Sequence, residues 1–144
     1  MRNLLIISDT HHDITLMEEL IKKYKGYIVI HCGDYCVNRK ILDKYNINYV
    51  DGNCDIHSDK EDLLLEIDGK KIFVTHGHKY KVKLGVMNLY YKAMELGCDY
   101  VFYGHTHIRA CFKENGIIFI NPGSLKYGRE YCVIENDEII FKEI

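Results

Sequence analysis

One pattern constrains the fold of this chain more than any other: five short apolar runs are each followed by metal-competent side chains. The residues that follow these runs, each within a few positions, are Asp9 and His11, then Asp34, then Asn53, then His76 and His78, and finally His105 and His107. In α/β sheets the loops at the carboxyl ends of strands converge on one crevice. We therefore expect these side chains to meet at one edge of a sheet, which scattered surface polar residues would not do.

The first third of the chain alternates strand and helix patterns. Strands are predicted over residues 4–8, 27–30 and 47–50, and helices over 14–24 and 37–45, with Asp13 as the N-cap of the first helix. This β-α-β-α-β order predicts a parallel sheet with right-handed crossovers.

Hairpin signals dominate the rest of the chain. Strands at 62–67 and 71–75 flank Asp68-Gly69, and a helix starting at 82 or 85 is expected to end at 96, before Gly97. A strand at 100–103 precedes two more hairpins, over 110–120 and 131–142. These late hairpins predict a second, partly antiparallel sheet. The expected fold class is α/β, with two sheets and the helices outside them.

Composition excludes several classes of protein. The chain has 144 residues, 47% of them hydrophobic, with a single proline and no repeat, so we expect one domain over 1–144. The apolar run at the start is too short for a signal peptide, and no segment has the roughly 20 apolar residues of a membrane span, so a soluble cytoplasmic protein is expected. The net charge of −2 provides no basic face for stable nucleic-acid binding.

The six cysteines do not indicate a disulfide framework. Most lie within or beside apolar runs, and Cys32 and Cys36 lack the Cys-x-x-Cys spacing of zinc and redox sites. Reduced, mostly buried thiols are expected, and a structural zinc-thiolate site is disfavoured.

The predicted ligands are oxygen and imidazole donors, which suit Mn, Fe, Co, Ni or Zn better than Ca or Mg. Seven such residues are too many for one catalytic ion and suit two ions about 3.5–4 Å apart that share a carboxylate. Asp34, preceded by Gly33, is the predicted bridge. The predicted metal ligands are Asp9, His11, Asp34, Asn53, His76, His105 and His107.

Five motifs in order carry a family resemblance: Asp9-Thr10-His11, Gly33-Asp34, Gly52-Asn53-Cys54-Asp55, Thr75-His76-Gly77-His78 and Gly104-His105-Thr106-His107. The chain resembles the calcineurin-like metallophosphoesterases, most closely their small bacterial and archaeal phosphodiesterases. The resemblance implies a four-layer α/β/β/α sandwich of two mixed sheets and two divalent metals, manganese first among the candidates. It implies one metal on Asp9, His11, Asp34 and His107, and a second on Asp34, Asn53, His76 and His105. A hydroxide between the metals would attack phosphorus.

Two positions depart from the pattern of larger family members. Cys54 stands where a histidine commonly protonates the leaving group, and Val37 replaces a second aspartate. A thiol beside two cations tends towards thiolate and is a poor acid. The hypothesis is that a metal-bound water or His78 protonates the leaving group instead.

The remaining histidines have plainer interpretations. His31 is expected to be a hydrogen-bonded core residue, and His12 and His57 to be solvated. His78, like Asn53, is a candidate substrate contact. An equal alternative for His78 is that it contacts a metal-binding side chain and holds it in position. The turn at Asn121-Pro122-Gly123-Ser124 has at most a backbone role near the metals.

The leading functional prediction is a phosphodiesterase acting on small diesters or nucleotides. The alternatives are a phosphomonoesterase, or a non-catalytic protein-binding scaffold with the same fold. Self-association of so small a domain stays open.

Overall fold

Two five-stranded mixed sheets form the centre of the protein, which the computed structural model describes from Met1 to Ile144. The strands are β1 (Leu4–Ile7), β2 (Ile28–His31), β3 (Asn48–Tyr49), β4 (Asp62–Ile67), β5 (Lys70–Thr75), β6 (Tyr100–Phe102), β7 (Ala110–Glu114), β8 (Ile117–Asn121), β9 (Glu130–Glu135) and β10 (Glu138–Glu143). The first sheet has the order β10-β9-β1-β2-β3 and the second the order β4-β5-β6-β8-β7.

The helices are α1 (Ile14–Lys23), α2 (Arg39–Lys44), α3 (Met87–Leu96) and α4 (Leu125–Gly128). As predicted, the Asp13 side chain caps α1, accepting from the Leu16 N–H, and Gly97 ends α3 in the left-handed conformation. α3 begins later than predicted because residues 82–84 form a separate 3-10 turn between two positive-φ residues, Lys81 and Gly85. None of these helices is long and apolar enough to cross a membrane.

Alternation along the strands builds the layers. On β1, Leu5 and Ile7 face α1 and α2, whereas Leu4 and Ile6 face the second sheet. On β5, Ile72 and Val74 pack between the sheets, whereas Phe73 packs against α3. Helices therefore cover the outer face of each sheet, and the predicted α/β/β/α sandwich is confirmed.

The prediction that both late hairpins belong to the second sheet is wrong for one of them. The β9–β10 hairpin joins the first sheet, where β9 runs antiparallel to β1 with Leu5 opposite Val133. β9 carries apolar residues on both faces, Tyr131 and Val133 towards the helices and Cys132 and Ile134 towards the other sheet. Such a strand requires burial on both faces, which pairing with β1 supplies.

The six cysteines are free, but fewer are buried than predicted. Cys32, Cys98 and Cys132 are buried, Cys36 is half-buried, and Cys54 and Cys111 are exposed.

We expect Met17→Ala to lower the free energy of unfolding by about 2–5 kcal/mol, since it leaves a cavity beneath α1. Met17 is fully buried, whereas Met87 on α3 is 61% exposed. Met87→Ala is the matched control and should change stability by less than about 0.5 kcal/mol. Urea unfolding followed by circular dichroism measures both; equal losses would contradict the assigned packing.

Candidate metal centre

Six of the seven predicted ligands converge at the strand ends. Asp9 follows β1, Asp34 follows β2, His76 comes directly after β5, and His105 and His107 follow β6. Asp9 and His76 are fully buried and Asp34 nearly so. Two neighbouring strands from each sheet therefore supply the centre, which lies across the seam between the sheets.

Asp9 is surrounded by imidazole nitrogens. Its Oδ1 lies 3.1 Å from His107 Nε2, 3.5 Å from His11 Nε2 and 3.8 Å from His76 Nε2. Its Oδ2 accepts from the Ser8 hydroxyl at 2.6 Å and from the backbone N–H of His105 at 3.2 Å. One oxygen thus fixes the carboxylate while the other faces three histidines.

Asp34 is oriented in the same way. Its Oδ2 lies 3.2 Å from His76 Nε2 and 3.6 Å from His11 Nε2, and its Oδ1 accepts from the Cys54 N–H at 2.9 Å. His11 and His76 therefore stand between the two carboxylates, Asp9 and Asp34.

Two of these nitrogens carry the argument for a metal. His76 Nδ1 donates to the Cys32 carbonyl at 2.7 Å, which leaves the lone pair on Nε2. The Nε2 atoms of His11 and His76 are both buried and have no aligned hydrogen-bond partner. Buried polar atoms are rarely left unpaired. Imidazole lone pairs that face two carboxylates fit a divalent cation.

The charges of the cluster depend on one another. Burial alone would raise the pKa of Asp9, but the imidazoles that surround it and the Ser8 hydroxyl hold the pKa below its usual value. Burial also raises the pKa of Asp34, but the neighbouring His76 outweighs burial, so that pKa too lies below its usual value. Burial lowers the pKa of His105 to about 4, so this imidazole is neutral at physiological pH and free to bind a metal.

Asn53 is placed differently from the other predicted ligands. It is exposed, and its amide donates only a weak N–H···S hydrogen bond, 3.7 Å from Cys54 Sγ. No hydrogen bond or ion pair joins its side chain to the other six predicted ligands. Cys54 Sγ instead lies with the ligand atoms of His11 and Asp34, all within 4.8 Å of one another. A thiol therefore lies beside the predicted oxygen and nitrogen donors, and the seven-ligand set stays a prediction.

Two side chains that sequence reasoning did not single out hold the loops of the site. The Asp55 carboxylate accepts from the backbone N–H groups of Asp34, Cys36 and Gly52 at 2.7–2.8 Å. The Asn121 amide donates to the Gly104 carbonyl and the Thr106 hydroxyl. Asp55 and Asn121 belong to recognised motifs, but only the structure shows what they bind.

Much of the ligand backbone is strained. The φ angles of Asp9, Asp34, His105 and His107 lie between 54° and 72°, a region that non-glycine residues rarely adopt. Gly104 shows how close the loops approach: a Cβ there would lie 2.1 Å from Ser8 Oγ and 2.7 Å from Asp9 Oδ2. Such strain persists where the surrounding contacts determine the conformation.

The other histidines differ in their burial and in their hydrogen-bond partners. His31 is fully buried, accepts from the Gly33 N–H at Nδ1 and contacts the Thr10 hydroxyl through Nε2, as expected of a core residue. His12 and His57 are exposed, as predicted, and line a cavity beside Cys54. His78 Nε2 lies 3.1 Å from Glu61, and its ring is 5.5 Å from that of His76.

Tyr127 was missed by the sequence analysis. It lies on the short helix α4, and its ring stacks on His107 at 5.4 Å and lies 5.2 Å from that of His11. No sequence signal marked it, because α4 has only four residues and follows a turn.

A carboxylate–imidazole centre at the strand ends of a two-sheet sandwich defines a class of metal-dependent protein. The chain belongs to the calcineurin-like phosphoesterase superfamily, whose domain model matches residues 1–137. The resemblance carried by the five motifs is thereby confirmed.

Individual relatives agree with this assignment. The probable metallophosphoesterase YsnB of Bacillus subtilis is 39% identical, over 94% of this chain and 86% of the relative. A phosphodiesterase of Methanocaldococcus jannaschii is 32% identical, over 82% of this chain and 81% of the relative. The crystal structure of a predicted phosphoesterase from Streptococcus pneumoniae superposes with a TM-score of 0.90 at 29% identity, covering 99% and 89% of the two chains.

We expect Gly104→Ala to weaken metal binding at least about tenfold, since the added methyl would displace Ser8 or Asp9. Gly69→Ala is the control: the φ of Gly69 is +82°, which strains any residue with a Cβ, but no atom lies within 4 Å of the added Cβ. It should reduce stability by about 1 kcal/mol and leave metal affinity unchanged. Isothermal titration with Zn²⁺ measures both variants; equal affinities would contradict the close approach.

Burial lowers the pKa of His31 to about 4, which predicts a pH-dependent stability of the metal-free protein. The unfolded chain takes up this proton near pH 6.5, before the folded chain does. His31 should therefore contribute up to about 3 kcal/mol to the free energy of unfolding above about pH 6.5, and this contribution should be lost as the pH falls towards 4. NMR titration of the ring protons is the measurement. Protonation of His31 near pH 6.5 in the folded protein would contradict it.

Proposed function

We propose that this protein is a phosphodiesterase that hydrolyses P–O bonds of small diesters at a centre for two divalent metals. The observation that carries the proposal is the pair of orphaned Nε2 atoms, on His11 and His76, buried between the carboxylates of Asp9 and Asp34. Membership of the superfamily and the phosphodiesterase named among its relatives support it.

Each residue has a distinct task in this proposal. Asp34 would contact both ions, since its Oδ2 faces both His11 and His76, and Asp9 would hold one ion together with His107. His105 and Asn53 complete the seven proposed ligands. When bound, the two ions supply Lewis-acid stabilisation of the phosphoryl oxygens and a nucleophile at neutral pH. Buried, hydrogen-bonded carboxylates fix the geometry in advance, so little reorganisation is needed during the reaction.

His78 is the proposed proton donor within the chain. Its Nε2 lies 3.1 Å from Glu61 Oε2, a partner that can hold a proton on that nitrogen. The ring lies 6.2 Å from that of His105, at the edge of the centre. We propose that this imidazole protonates the leaving group, a task that Cys54 serves poorly.

Preference for a diester over a monoester rests on charge. A monoester carries an additional negative charge, which arginine binds well. Arg39 is the arginine in the cavity beside Cys54, but its guanidinium binds Asp51 and Asp59, each at 2.6 Å. That cavity, of about 360 Å³, has apolar walls that include Val37 and Ile56, and we propose that it receives one ester group.

We expect Asp34→Asn to lower kcat/KM for bis-(p-nitrophenyl) phosphate at least about a hundredfold, because it removes charge from the bridge. Asp43→Asn, the same chemical change on the exposed side of α2, should leave kcat/KM unchanged. The assay uses chelator-stripped protein with Mn²⁺, Co²⁺, Ni²⁺ or Zn²⁺ restored, and p-nitrophenyl phosphate as the monoester comparison.

Mass spectrometry of the metal content should give two ions per chain. Full activity in chelator would overturn the metal-dependent proposal. A faster rate on the monoester would favour the phosphomonoesterase. Two bound metals without hydrolysis of either ester would favour the scaffold.

A further inference from the structure

Cys54 occupies a place in the cluster that neither the motifs nor the seven proposed ligands assign to it. Three groups of side chains have ligand atoms within 4.8 Å of one another: Asp9, His11 and His107; Asp9, Asp34 and His76; and His11, Asp34 and Cys54. The first two consist of proposed ligands. The third adds a sulfur to the side of the centre where His11 Nε2 has no hydrogen-bond partner.

Hydrogen bonds of the backbone hold the turn that carries this sulfur. The Cys54 backbone N–H donates to Asp34 Oδ1 at 2.9 Å, so the backbone that carries the thiol is tied to the carboxylate proposed as the bridge. Asp55 holds the same turn by accepting from the N–H groups of Asp34 and Gly52. Gly52 lets the two loops touch, since a Cβ there would lie 2.1 Å from Asp34 Oδ1. The Cys54 backbone therefore stays within reach of Asp34 and His11.

We propose that Cys54 is a metal ligand, binding as a thiolate to the ion that His11 and Asp34 also contact. A sulfur–metal bond forms, the S–H bond breaks, and the proton passes to solvent; no oxidation is involved. The inference rests on the proposed metal centre and adds a donor to it. Cys54 is exposed and lines the cavity proposed for the ester group, so its sulfur lies on the solvent-facing side of the cluster.

A thiolate changes which ions the centre prefers. Soft sulfur favours Zn²⁺ and Co²⁺, whereas oxygen-rich sets suit Mn²⁺ and Mg²⁺. Sulfur, imidazole and carboxylate together resemble the donors of zinc sites. We expect Cys54→Ser to reduce the ratio of Zn²⁺ to Mn²⁺ affinity at least about tenfold.

Cobalt spectroscopy tests the proposal without reference to activity. Metal-free wild-type protein titrated with Co²⁺ should show a near-ultraviolet thiolate-to-cobalt charge-transfer band. Cys54→Ser should lose this band and keep the visible cobalt bands. The matched control is Cys36→Ser, whose thiol lines the same cavity but belongs to none of the three ligand groups, and it should retain the band.

Alkylation provides a second measurement on the unaltered protein. Iodoacetamide followed by peptide mass spectrometry should show Cys54 protected by Zn²⁺ at least about tenfold. Cys111, also exposed but on β7 and outside the ligand groups, should react equally with and without the metal.

The outcomes separate the two proposals. Cobalt binding without the charge-transfer band, or a band that survives in Cys54→Ser, overturns ligation by Cys54 and leaves the phosphodiesterase proposal standing. Absence of any cobalt binding overturns the metal centre and, with it, this inference. A band that Cys54→Ser abolishes, together with protection by Zn²⁺, establishes the thiolate ligand whatever ester the protein hydrolyses.

Discussion

Two carboxylates, Asp9 and Asp34, are buried close enough to face the same two imidazoles, and the organisation of the site follows from this. Unpaired buried charge is expensive, and like charges held together raise that cost further. Hydrogen bonds from Ser8, the His105 N–H and the Cys54 N–H offset part of it. The remaining oxygens and the unpaired imidazole nitrogens are what a divalent cation would satisfy.

The same constraint explains the loops. Close approach of the carboxylates requires backbone in the left-handed region and glycines where a Cβ would collide, as at Gly52 and Gly104. Side chains from outside the ligand set hold this geometry. Asn121 fixes the loop at Gly104, and Ser124 donates to the Asp9 carbonyl. Ser124 also caps α4, so the helix carrying Tyr127 is positioned by the turn that supports the site.

Periodic patterns made most of the fold predictable. Strand ends, the Asp68-Gly69 turn and the Asp13 cap depend on neighbouring residues, so their positions could be read directly. Pairing of β9 with β1 could not, because it joins residues far apart in sequence. For the site, the sequence indicated which residues meet. It did not show that the Asn53 side chain lies apart from the other ligands whereas Cys54 Sγ lies beside His11 and Asp34. The directions of two adjacent side chains in a turn depend on the backbone torsions, which the residue types alone do not determine.

Because the centre lies between the two sheets, a bound ion would also link distant parts of the chain. Asp9 and His107 are 98 positions apart, on loops that follow strands of different sheets. An ion that holds both would close a long loop of chain, as a disulfide does, and reduce the entropy of the unfolded state. Unlike a disulfide, this link forms and breaks with the supply of metal. Metal availability would then determine how long the folded chain survives proteolysis as well as whether it is active.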